Sequence, residues 1–251
     1  MESNEYEIMY ANEDVHWWFQ GTRTVILDYS RMNGPQPEGY LPKVLDVGCG
    51  TGATLVALDE VADVSGIELD AGAVAFCKQR GLEQVVEGSA EALPFSDASF
   101  DMVFALDVIE HLDDDEVGLR EFLRVLRPGG KLVVTVPAYQ FLWSQHDEAL
   151  HHRRRYTRPQ LLRVLESTGF QIERASYYNT LLFPLVAAVR LMQRVLRTDG
   201  PAKSDVSLPP RWLNGLLYNV LASERFALRG LRLPFGVSLI AIATKVDRGD
   251  Q

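Results

Sequence analysis

Cysteine is nearly absent from this chain. Only Cys49 and Cys77 occur among 251 residues, too few for a disulfide framework, and this points to a reducing compartment. Long apolar runs are missing too. The longest uncharged apolar stretch of the C-terminal part, residues 181–189, has nine residues and contains Pro184, far short of the ~20 needed to span a bilayer. No transmembrane helix is expected. The opening Met1-Glu2-Ser3-Asn4-Glu5 has neither the basic segment nor the apolar segment of a secretory leader. Together these absences predict a cytoplasmic protein.

Apolar residues are plentiful at 47 %, enough to bury a large core, and one α/β domain with an elaboration is the economical reading of this length. The net charge of −9 is unevenly spread. Residues 174–251 hold 11 Lys and Arg against 5 Asp and Glu, so this part is +6 and the remainder −15. The basic part either faces something anionic, such as phosphate or a membrane surface, or is a solvated basic face.

The informative segment is Val44-Leu45-Asp46-Val47-Gly48-Cys49-Gly50-Thr51-Gly52, an apolar strand running into a glycine-rich turn and then the helical pattern from Ala53 to Leu58. Glycines at 48, 50 and 52 permit positive φ and let a ligand approach bare backbone. Their spacing, G-x-G-x-G, differs from the G-x-G-x-x-G that seats a pyrophosphate on a helix N-terminus, so a ligand without phosphates is favoured over a nicotinamide dinucleotide. Glu68 ends a second apolar run, where a carboxylate can accept both hydroxyls of a ribose. Further on come the small and polar stretch Gly88-Ser89-Ala90-Glu91, the strand Phe100 to Leu106 followed by Asp107-Val108-Ile109-Glu110-His111-Leu112, and the turn and strand from Leu126 to Val134.

In this order and spacing the five segments, covering roughly residues 40 to 137, resemble the class I S-adenosylmethionine-dependent methyltransferases. The resemblance implies a Rossmann-like, doubly wound, mostly parallel seven-stranded sheet with an antiparallel edge and a helical insertion before the last strand. S-adenosyl-L-methionine is the implied cofactor. Gly48, Gly50 and Gly52 would line its methionine portion, with Asp46 just upstream. Glu68 would hold the ribose, Ser89 and Ala90 the adenine, and Leu106 would contact the cofactor near its methionine part, with Asp107 following it toward the substrate cavity. A Trp17-Trp18 pair, then Arg23, then an apolar helix before the glycine turn looks like the lead-in of the ubiquinone-biosynthesis O-methyltransferases. That likeness places Arg23 on the cofactor carboxylate.

Four segments are expected. Residues 1–40 form a helical lid with a helix from about Thr22 to Met32, and 41–178 the cofactor-binding core. Residues 179–235 are an insertion with helices at 181–196 and from 210 to about 221, joined by a polar loop at 198–207. Residues 236–251 supply the last edge strand and a tail. Arg190, Arg194 and Arg197 edge the first inserted helix. Such helices can roof a substrate cavity, lie in a membrane interface, pack on the core or form a homodimer.

Methyl transfer from a sulfonium needs alignment and, for a hydroxyl acceptor, removal of a proton. His111 is one candidate base. Residues 143–157 hold the others, His146 and His151, with Asp147 to orient an imidazole and Arg153 to Arg155 to clamp an anionic group. A metal held by His146, Asp147 and His151 is a rival reading, but their spacing fits no recognised metal motif, and no metal site is assigned. The sequence reading is thus O-methylation of a small or lipid-like metabolite. An amine acceptor, a nicotinamide-dependent oxidoreductase and a non-catalytic cofactor-binding subunit stand as alternatives. Nucleic acid is not expected as a substrate, because the body is acidic and no Asn/Asp-Pro-Pro-Tyr type of motif follows the fourth strand.

Overall fold

The computed structural model describes residues 3–33, 39–196 and 207–246. The breakers Gly34 and Pro35, the polar loop at 198–206 and the tail at 247–251 lie outside the described residues.

Helices α1 (Ser3–Asn12) and α2 (Trp17–Asn33) precede an alternation of strands and helices: β1 (Lys43–Val47), α3 (Ala53–Asp59), β2 (Asp63–Glu68), α4 (Ala71–Gln79), β3 (Val85–Glu87), β4 (Phe100–Leu106), α5 (Asp115–Val125) and β5 (Leu126–Pro137). After β5 come a short 3-10 turn, α6 (Gln145–Ala149), α7 (Arg158–Ser167), β6 (Phe170–Tyr178), α8 (Phe183–Leu196), α9 (Arg211–Gly230) and β7 (Ser238–Lys245). The seven strands run in the order β3-β2-β1-β4-β5-β7-β6. Pairs up to β4–β5 are parallel, and β7 lies antiparallel between β5 and β6. This is the Rossmann-like doubly wound sheet with one antiparallel edge. The strand order reverses between β1 and β4, the position where such sheets bind ligands beyond their carboxyl ends.

Local chemistry sets the helix starts. Asp70 caps α4 by accepting from Ala73 N at 3.0 Å, and Asp114 caps α5 by accepting from Glu116 N at 3.0 Å. Thr157 and Gln160 form a capping box at α7. The sheet's two faces each carry an apolar layer. One holds Val103, Leu132 and Leu239 against Leu119 and Phe122 of α5 and Leu161 of α7. The other holds Val44, Phe104 and Ile240 against Val25 and Tyr29 of α2, Leu55 of α3, Val74 of α4 and Leu221 of α9.

The lead-in and the insertion, about 200 residues apart in sequence, share that second layer. A Cβ at Gly21 of α2 would meet Leu221 at 2.8 Å, so glycine lets α2 and α9 approach closely. Asn214 of α9 accepts from Trp17 N at 2.9 Å and donates to Val15 O at 2.8 Å, capping α2 from another helix. Two boundaries differ from expectation. Helix α2 begins at Trp17, so both tryptophans belong to it, and α9 runs to Gly230 because Leu221, Ala222 and Leu228 continue its buried face.

Candidate active site

A cavity of about 710 Å³ opens at the carboxyl ends of β1, β2 and β4. Its inner wall is the glycine turn. Gly48 and Gly50 hold φ of 65° and 55°, and the amides of Gly48 and Cys49 donate to Ile67 O at 2.8 and 3.2 Å, tying the turn to β2. Glu68 ends β2 with its carboxylate toward the turn. Its Oε2 accepts from Gly50 N at 2.9 Å, and its Oε1 accepts from Leu69 N at 2.7 Å, from Asp70 N at 3.3 Å and from the Tyr6 hydroxyl at 3.1 Å. Burial beside this carboxylate pushes the Tyr6 phenol well above its ordinary range, so it stays a neutral donor.

Of the residues expected around the cofactor, Arg23, Gly48, Gly50, Glu68, Ser89, Ala90, Leu106 and Asp107 all line this cavity. Asp46 and Gly52 do not; they support the turn from behind. Asp46 is buried, one carboxylate oxygen has no hydrogen-bond partner, and burial with Glu68 nearby pushes its carboxyl up to about 8. Gly52 holds φ of 91° at the start of α3, and a Cβ there would strike Leu82 at 2.7 Å, so it is demanded by packing. Arg23 reaches the wall while donating to Glu13 O at 3.1 Å and pairing with Asp14 at 3.5 Å.

Helix α1 lines this end of the cavity with Glu5, Tyr6 and Met9. Tyr10 stacks on Phe76 of α4 at 4.4 Å, and Glu13, just after α1, pairs with Arg80 at 2.7 Å. The Met9 methyl would lie 2.9 Å from a Cβ on Gly50. The bare backbone at Gly48 and Gly50, the Glu68 carboxylate and the small residues Ser89 and Ala90 fit the nucleoside and amino-acid ends of S-adenosylmethionine.

The other end is built from two segments. Asp107 follows β4 with φ of 54°, its amide donating to Thr135 O and Oγ1 at 3.1 Å each. Glu110 and His111 come next, and residues 151–156 are strapped across them. Arg153 donates from its amide to Glu110 O and from Nε to His111 O, both at 2.9 Å. Arg154 donates to Leu112 O and Asp113 O at 2.9 and 2.7 Å. The arginines expected to clamp an anion are thus spent largely on the protein's own carbonyls and carboxylates.

Asp147 is fully buried and takes a bidentate contact from Arg155 at 2.7 and 3.0 Å, with His152 Nδ1 at 2.9 Å. Burial alone would raise its carboxyl, but the hydrogen bonds from His152 and Arg155 hold it well below the usual carboxylate range. His111 and His146 line the cavity. Burial, with His152 adjacent, brings the His111 imidazole down to about 4, so it is neutral at physiological pH. His151 is exposed, holds φ of 58° and does not reach the cavity wall; its neighbour His152 does, and its ring meets that of His111 at 4.7 Å. Sequence reasoning passed over His152. Only the turn at His151 decides which of the adjacent imidazoles faces inward.

Residues 45–134 match a family model described as a methyltransferase domain. Over this segment the chain resembles S-adenosylmethionine-dependent methyltransferases. The chain is 37 % identical over 135 residues to a "Probable S-adenosylmethionine-dependent methyltransferase" of Mycolicibacterium smegmatis, covering 52 % of each protein. It is 31 % identical over 166 residues to ajmaline N-methyltransferase of Rauvolfia serpentina, covering 61 % of this chain and 54 % of that one. An O-methyltransferase of Aspergillus nomiae is 35 % identical over 101 residues, 37 % of this chain and 45 % of its own. The chain therefore spans about half the length of the curated relatives it matches. A solved S-adenosylmethionine-dependent methyltransferase of Thermotoga maritima shares the fold with a TM-score of 0.60 at 19 % identity, over 96 % of this chain and 95 % of that one. The methyltransferase-domain match ends before residues 143–157, so the histidine-rich half of the site lies outside it.

Proposed function

We propose that the chain transfers the methyl group of S-adenosylmethionine to an oxygen of a small or lipid-like acceptor. The cofactor supplies an electrophilic methyl on a sulfonium. The observation that carries the oxygen assignment is the pair of imidazoles, His111 and His152, at the cavity end beyond Asp107, with His152 fixed by buried Asp147. A hydroxyl acceptor must lose a proton and an amine needs less help, so this built edge suits a hydroxyl. The Trp-Trp and arginine lead-in supports the same choice through its likeness to the ubiquinone O-methyltransferases. Trp17 and Trp18 form part of the cavity wall.

The lipid-like part of the reading rests on α8. Val186 and Arg190 face the cavity, while Leu185, Leu191 and Met192 of the same helix are exposed, as is Trp212 of α9 at 71 %. One short helix is therefore both cavity wall and greasy outer surface, suited to the interface of a membrane. Among the described residues no helix is long and apolar enough to cross one.

The test is incubation with methyl-labelled S-adenosylmethionine and a metabolite extract, with Glu68→Ala as the blank, followed by partition between organic solvent and water. Label in the organic phase on an ether or ester oxygen supports the reading. Label on nitrogen would replace it with the amine alternative, and no incorporation despite tight cofactor binding would favour a non-catalytic role. Co-sedimentation with anionic vesicles at low salt checks the membrane contact; its absence, with a dimer seen in solution, would assign α8 to self-association.

A further inference from the structure

We propose that Glu110, His111 and His152 form a binding site for one divalent transition-metal cation, with zinc as the reference ion, at the acceptor end of the cavity. One ligand atom from each residue lies within 4.8 Å of the other two. A tetrahedral ion at ~2.0–2.1 Å from its ligands wants them about 3.4 Å apart, a closure within reach of side-chain rotation.

The first argument is the state of Glu110. It is wholly buried, and neither carboxylate oxygen has a hydrogen-bond partner among the described residues. Buried polar groups are almost always partnered, and buried carboxylates are paired or ligate metals. A cation between Glu110 and the two imidazoles would give both oxygens their role.

The second argument is the orientation of His152. Its Nδ1 is engaged with Asp147 at 2.9 Å, which leaves Nε2 as the free ligand atom. A carboxylate behind a histidine is the arrangement that fixes a ligating imidazole's tautomer and angle. Asp147 is itself immobilised by Arg155 and by Ser144 N at 2.9 Å. The straps from Arg153 to Glu110 O and His111 O hold the two segments in register. The nearby positive charges are neutralised locally, Arg155 by Asp147 and Arg153 by Asp113 at 2.6 Å.

Two histidines and one carboxylate leave an open coordination position, the pattern of catalytic ions. Here His111 and His152 both line the cavity, so that position faces the acceptor space. The site stands on these residues alone, whereas its role rests on the methyl-transfer reading. An acceptor hydroxyl bound at the open position would release its proton to solvent near neutral pH, leaving the oxygen's electron pair free for the methyl carbon. The grouping of His146, Asp147 and His151 weighed from the sequence gives way to one in which Asp147 supports a ligand.

The experiment uses the full chain, stripped with a chelator and titrated with Zn²⁺ by calorimetry and with Co²⁺ by visible absorption. One ion per chain is expected, with affinity at least tenfold weaker in Glu110→Gln and in His152→Asn and unchanged in His151→Ala. No ion uptake, or uptake that neither Glu110→Gln nor His152→Asn weakens, would overturn the site. Should those variants unfold, pulsed electron paramagnetic resonance of the Cu²⁺-loaded native chain decides. Two imidazole couplings support the site, and their absence removes it. S-adenosylhomocysteine binding by the stripped chain is measured alongside. Cofactor binding without ion uptake sinks the metal alone, and ion uptake without cofactor binding sinks the methyl-transfer reading alone.

Discussion

The two ends of the cavity are built by different means. The cofactor end is made of consecutive strand termini, where the backbone itself provides the binding surface: a glycine turn at 48–50 and a carboxylate, Glu68, anchored by three backbone amides. The acceptor end is made of side chains from segments about 40 residues apart, held together by arginines that donate to carbonyls. A site made from backbone tolerates little change in sequence, because few residues adopt its φ angles. One made from strapped loops can be re-equipped for a new acceptor by changing the loop.

Breaking the cofactor end should have the largest effect. Glu68→Ala removes the carboxylate's charge-assisted hydrogen bonds, each of about 1.5–3 kcal/mol, and S-adenosylhomocysteine affinity measured by calorimetry should fall at least ~100-fold. Because three amides lose their acceptor, the melting temperature should fall as well, and a variant with unchanged affinity would refute the ribose assignment. At the acceptor end, Asp147→Asn should lower turnover by ~10–100-fold while leaving S-adenosylhomocysteine affinity within twofold. A loss of cofactor binding in that variant would erase the distinction between the two ends.

A pH series sharpens the comparison behind the glycine turn. Asp46 has a folded-state pKa raised to about 8 from 3.8. Its protonated form favours the fold, so this contribution is complete below pH ~4, declines as pH rises and is gone above ~8. Asp46→Asn should be more stable than the parent by a margin that widens from pH 5 to pH 8, read as melting temperature; a constant margin would mean that Asp46 is ionised in the folded chain. The smallest effect is expected at the lid. Tyr6 occupies Glu68 Oε1, so Tyr6→Phe should tighten S-adenosylhomocysteine binding a few-fold, and a weakening would instead make the hydroxyl part of the bound state.

Much of the cofactor end was legible in the sequence. The spacing of glycines 48, 50 and 52 and the position of Glu68 marked both turn and carboxylate, because each sits at the end of a buried strand whose period can be read. Asp46 and Gly52 were read as ligand contacts, yet they serve the turn from behind, since sequence spacing does not say which side of a turn a residue faces. His151 against His152 is the same difficulty in its sharpest form. The φ of 58° at His151 turns the chain so that His152 enters the cavity. The lead-in was read as a lid, and the insertion as a roof, a membrane contact, core packing or a dimer surface; Gly21 and Asn214 join the two segments in one layer.

The sequence by itself determined the doubly wound sheet, its antiparallel edge and the glycine turn after β1. Hydrophobic period and glycine placement act locally, over a strand and its following turn. Only the tertiary structure decided that Glu110 is buried without partners, that Asp147 stands behind His152 and that α1 lies over Glu68. Those facts depend on burial and on contacts between residues 5 to 62 positions apart, and such contacts leave no periodic mark along a chain.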